Sequence, residues 1–69
     1  MSEHVYKLIE VVGVSEDSIQ QAVRNALSQA GKTVRNMEWF EVRNIRGAIH
    51  DKDQPIFQVT VGIGFKVEA

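Results

Sequence analysis

Four blocks of periodic hydrophobicity fill the chain, separated by short turn signals. Val5 to Val12 is rich in β-branched and aromatic residues and stops at Gly13, which predicts a strand. Val5, Ile9 and Val11 share one of its faces and Tyr6, Leu8 and Val12 the other, so both faces want cover. Ile19, Ala22, Val23, Ala26, Leu27 and Ala30 then recur at helical spacing and form a single stripe. Ser15 is the expected N-cap of that helix, with Glu16 and Asp17 in a first turn where the helix dipole favours negative charge. Gly31 suits the C-terminal cap, and cationic Lys32 follows it. The third block runs from Met37 to about Ile49; Phe40 and Val42 share one parity, Trp39, Glu41, Arg43 and Ile45 the other. The fourth, Ile56 to Val67, alternates almost perfectly, with Phe57, Val59, Val61, Ile63, Phe65 and Val67 on one face. A turn at residues 50–55 separates these two blocks, and Pro55 has no N–H to give to a ladder.

The predicted fold is therefore α+β, in the order β-α-β-β: a three-stranded antiparallel sheet wrapped around one helix. The last strand, the most apolar, belongs in the middle, and the first and third blocks at the edges. A hairpin closing around Asp51 to Gln54 sets Phe40 opposite Phe65 and Val42 opposite Ile63, all on the helix-covered side. Trp39 and Gln58 then point away from the helix. Gln58 falls opposite about Gly47, eight positions along the strand from Trp39, or roughly 26 Å. A bulge near Asn44 would shift this phase, since the apolar parity moves to Ile45 and Ile49 beyond it, but it would not close the separation. If Trp39 and Gln58 act together, they must come from different chains. The plainer readings are that Trp39 is packing and that Gln58 is merely solvated. Gly62 and Gly64, which weaken a strand interior, favour a subunit contact on the open face.

Length sharpens this picture. The 69 residues are expected to form one small domain, and a domain of that size buries only about 60% of its unfolded surface. Disulfides, a metal or oligomerisation usually make up the difference. The chain has no cysteine, and its two histidines, His4 and His50, lack the paired spacing of a zinc site. Oligomerisation remains. Eight basic residues scattered among nine acids give a net charge of -1, which argues against nucleic acid and anionic membranes as partners. No run approaches the roughly 18 apolar residues of a membrane span. The opening residues lack a basic-then-apolar signal pattern, so the cytoplasm is the expected location.

Catalytic chemistry is sparse. No Cys nucleophile exists, and Ser2, Ser15, Ser18 and Ser28 sit at the terminus, the cap or the helix. Glu10, Glu38 and Glu41 are strand carboxylates that no spacing pairs for acid-base work. Gly62-Ile63-Gly64 lies inside a strand and opens no helix, so it is not a phosphate loop.

The segment Met37-Glu38-Trp39-Phe40-Glu41-Val42, then Ile45-Arg46-Gly47 and Phe57-Gln58-Val59-Thr60-Val61, resembles the dodecin family of flavin-binding proteins in its bacterial branch. Tyr6 to Gly13, with Ser15 before the helix, fits the same pattern, and the likeness covers essentially the whole chain. The resemblance implies a hollow homododecamer that binds oxidised flavin, mostly FMN, for storage and sequestration and without enzymatic turnover. It implies that Trp39 stacks on the isoalloxazine ring and quenches its excited state, and that Gln58 bonds the pyrimidine edge. Arg46 is the candidate for a phosphate or ribityl contact. A structural homo-oligomeric module with incidental ligand binding, and a flavin-dependent enzyme, are the alternatives. The sequence does not rank FMN against riboflavin, and it leaves open a second ligand such as coenzyme A at another interface.

Overall fold

The computed structural model describes residues 3–67. Its elements are β1 (Val5–Ser15), α1 (Ile19–Ala30), β2 (Met37–Ala48) and β3 (Ile56–Val67). They form one antiparallel sheet in the order β1-β3-β2, so the most apolar strand is central, as its pattern predicts. The core is one face of β3 against the small stripe of the helix. Val59, Val61 and Ile63 are buried on Ala22, Ala26 and Ala30, with Ile9, Val11, Val23 and Leu27 packed around them. Alanines on this stripe let the helix approach the sheet closely.

The strand-to-helix corner departs from the expected one. β1 continues through Gly13 to Ser15, because the missing side chain of Gly13 lets the strand pass beneath the helix. A Cβ there would overlap the Ala22 carbonyl oxygen and stand 2.9 Å from Ala26 Cβ. The N-cap is Ser18, whose hydroxyl accepts from the Gln21 N–H at 2.9 Å. Ser15, buried, accepts instead from the Asp17 N–H at 2.9 Å and the Ser18 N–H at 3.4 Å, and so shapes the turn that precedes the helix. Glu16 and Asp17 therefore lie outside the first helical turn. At the other end Gly31 caps the helix as expected, donating to the Leu27 carbonyl at 2.9 Å. Asn36 then takes a left-handed conformation, φ 63°, and its carbonyl accepts from the Lys66 N–H at 3.1 Å to start β2.

The hairpin register differs from the expected one by two residues: Phe40 faces Ile63 and Val42 faces Val61. A two-residue displacement leaves every side chain on its predicted face. Register shifts fall between Met37 and Trp39 and between Val42 and Asn44, the second at the place where the apolar parity changes. Beyond it Ile45 faces Val59 on the core side, and Gln58 faces Arg46 where Gly47 was expected. The loop closes with the Gln54 N–H on the Asp51 carbonyl at 2.9 Å and the Asp53 N–H on the Asp51 carboxylate at 3.0 Å.

The helix packs on β1 and β3 and hardly touches β2. A helix is about 10–12 Å across and strands stand about 4.8 Å apart, so α1 spans only about two of the three strands. Phe40 and Val42, expected beneath the helix, and Ile45 beyond the bulge are on its side of the sheet but 44%, 45% and 51% exposed. A shallow apolar groove lined by Leu27, Met37, Phe40 and Ile63 marks where the helix stops short.

Two glycines test this packing against each other. Gly13→Ala should cost about 1–3 kcal/mol, since the helix backbone must move to admit the methyl group. Gly47→Ala meets only the Ile56 carbonyl oxygen, at 3.6 Å, and should unfold within about 0.5 kcal/mol of the parent. Urea unfolding of both variants, followed by circular dichroism at matched protein concentration, measures the difference.

Candidate flavin-binding face

The face of the sheet turned away from the helix carries even-numbered residues of β1 and β3, and on β2 Trp39, Glu41, Asn44 and Arg46. Trp39 sits opposite Gly64. Three atoms of its benzo ring, Cε2, Cζ2 and Cη2, occupy the place where a Gly64 Cβ would stand. With nothing on Gly64 to separate the outer strands, Tyr6 of β1 reaches Trp39 of β2 edge-on, ring centroids 5.4 Å apart at 66°. His4 continues the row, 6.4 Å from Tyr6 at 68°. The indole is thus braced along one side, and Trp39 is still 43% exposed.

Gly62 leaves a similar gap further along the strand. Arg43 Nε stands 3.0 Å and Glu41 Cγ 3.2 Å from the position of a Gly62 Cβ. Arg43 bonds the Glu41 carboxylate at 2.8 Å and approaches Glu10, on the far strand, at 3.5 Å. The two glycines therefore make room for side chains of their own chain. This exposed ion triad contributes about 0–1 kcal/mol. The spacing of Glu10 and Glu41 gave no hint of their convergence, which depends on the register and on the bulge that re-aims Arg43.

At the other end of the face Gln58 and Arg46 are paired in register and bonded directly. Arg46 Nε donates to Gln58 Oε1 at 2.7 Å. Val12, Asn44 and Thr60 complete a shallow polar recess around them. Of the three predicted site residues, the structure brings these two together and leaves Trp39 apart. Gln58 lies six positions along β3 from the partner of Trp39, about 20 Å at the usual rise. One planar ring cannot touch both in a single chain.

A separate concavity lies where β3 ends, with Lys7, Arg35 and Lys66 gathered around the turn at Thr33–Asn36. Among the described residues no group of three His, Asp or Glu side chains could hold a metal ion. No described helix is long and apolar enough to cross a membrane.

The fold has close counterparts. The chain is 44% identical over 64 residues to the dodecin of Thermus thermophilus, covering 93% of each protein. A dodecin structure from Streptomyces coelicolor superposes with a TM-score of 0.93 at 46% identity, over 100% of this chain and 99% of that one. A crystal structure of a Thermus thermophilus protein gives a TM-score of 0.91 at 42% identity, over 97% and 98%. The family model for dodecin matches residues 5–68. With its β-α-β-β order, central last strand and near-complete coverage by these relatives, the chain belongs to the dodecin family.

Proposed function

We propose that this protein binds FMN in a homododecamer and holds it in storage, shielded from photochemistry, without turning it over. Dodecins bind flavins and assemble as homo-oligomers, and the observation that carries the finer reading is the braced, half-exposed indole of Trp39 over Gly64. A flat aromatic cofactor gains from stacking on such a surface. Because the indole is already positioned by Gly64 and Tyr6, little side-chain entropy is lost when the ring docks.

Gln58 supplies hydrogen bonds to the pyrimidine edge of the ring from a second subunit, since about 20 Å separates it from Trp39 within one chain. The terminal nitrogens of Arg46, beyond the Nε that Gln58 occupies, are available for the ribityl chain or the phosphate. An indole in contact with the ring is an electron donor, so excited flavin returns rapidly to its ground state. Sequestration fits the face better than an enzyme does: its charged triad is self-paired and its remaining polar groups suit recognition. The cationic concavity of Lys7, Arg35 and Lys66 favours a second, phosphorylated ligand such as coenzyme A.

The purified protein should be yellow, and its flavin fluorescence should recover on denaturation. Trp39→Ala should weaken FMN binding about tenfold to a hundredfold and restore the fluorescence of whatever flavin remains bound. Trp39→Phe keeps a stacking surface and should retain affinity better than quenching. Unchanged affinity and quenching in Trp39→Ala would leave only a structural oligomer with incidental ligand binding.

Gly64→Ala offers a complementary test, because the new methyl group pushes the indole off its seat without removing it. Fluorimetric titration with FMN should show weaker binding. The intrinsic tryptophan emission of the apoprotein should shift at the same time.

A further inference from the structure

We propose that Arg46 is a positioning residue for the ring of the ligand: it fixes which end of the Gln58 amide the ligand meets. A glutamine amide has an acceptor end and a donor end of nearly equal shape, and a solvated one turns freely between them. A guanidinium carries only donors, so its partner in the 2.7 Å contact from Arg46 Nε is the amide oxygen. The reverse orientation would set N–H against N–H. With Oε1 held on Arg46, the Nε2 amino group turns away from it, toward the open face.

Gln58 is therefore presented as a donor, suited to the carbonyl oxygens of an imide-like ring edge. The arrangement also polarises the amide. A charged donor on its oxygen makes the N–H groups better donors. The pairing is built into the sheet: Arg46 and Gln58 are direct cross-strand partners, a relation set by the bulge between Val42 and Asn44. Gln58 is half-buried in the recess of Val12, Asn44 and Thr60, which limits competition from water for its amide.

This inference rests on the reading that Gln58 meets a flavin ring, and the test separates the two. Lumiflavin, which carries neither ribityl chain nor phosphate, reports on ring contacts alone. It is titrated by fluorescence into the assembled full-length protein and into Arg46→Met, Gln58→Ala, Gln58→Glu and the double variant Arg46→Met/Gln58→Ala. Size-exclusion chromatography confirms that each retains its assembly. Arg46→Met should weaken lumiflavin binding about tenfold in the parent and have no further effect in the Gln58→Ala background.

Gln58→Glu keeps the bond to Arg46 but offers acceptors only, and should bind lumiflavin no better than Gln58→Ala. Arg46→Lys, which keeps one donor for Oε1, should recover some of the loss. The proposal is overturned if Arg46→Met weakens FMN but leaves lumiflavin unchanged, for then Arg46 contacts only the chain or phosphate. Equal losses from Arg46→Met with and without Gln58, or parental affinity in Gln58→Glu, overturn it as well. If Gln58→Ala itself binds lumiflavin like the parent, the underlying reading of Gln58 fails first.

Discussion

A single helix about 10–12 Å across cannot roof three strands spaced about 4.8 Å apart, and α1 spends its width on β1 and β3. What it leaves bare is β2, the strand that carries Trp39 and Arg46. The core beneath the helix is correspondingly slight, three alanines against Val59, Val61 and Ile63. Phe40, Val42 and Ile45 would complete a second layer if anything lay over them. A chain built this way is half of a packing arrangement. In a family of homo-oligomers, the surface deficit that weakens the monomer leaves β2 available for assembly.

The open face solves a different problem with equally little material. β3 offers Gly62 and Gly64 where side chains would otherwise stand, and residues from the flanking strands close over the gaps. At Gly64 an indole and a phenol meet across the middle strand; at Gly62 an arginine joins two carboxylates. Central-strand glycines usually loosen a sheet. Here they let the two outer strands hold one another, and they leave the indole both fixed and accessible.

Much of this is legible in the amino-acid sequence, and the failures have identifiable causes. The alternation of Phe57 to Val67 puts β3 in the centre, and the parity change after Val42 announces the bulge. The exact pairing is not legible, because moving the hairpin by two residues keeps each apolar side chain on the same face and leaves the pattern equally satisfied. The helix cap, read from the sequence at Ser15, lies at Ser18, a second serine with the same capping hydroxyl. What distinguishes them is that Ser15 still belongs to β1, which Gly13 allows to run under the helix. The contact between Arg46 and Gln58 is hidden because it needs both the two-residue displacement and the one-residue bulge; an unbulged hairpin in the expected register sets Gln58 against Gly47 instead.

The irregularity between Val42 and Asn44 has one more effect. In an uninterrupted strand an odd-numbered tryptophan and an even-numbered arginine project from opposite sides. The single unpaired residue at Arg43 resets the phase, so that Trp39 and Arg46 both serve the open face while Phe40, Val42 and Ile45 all serve the other. From Trp39 onward β2 thus behaves as two short strands of opposite parity joined by a phase shift. Deleting that one residue would turn one end of the strand inside out, exchanging apolar for polar side chains along it.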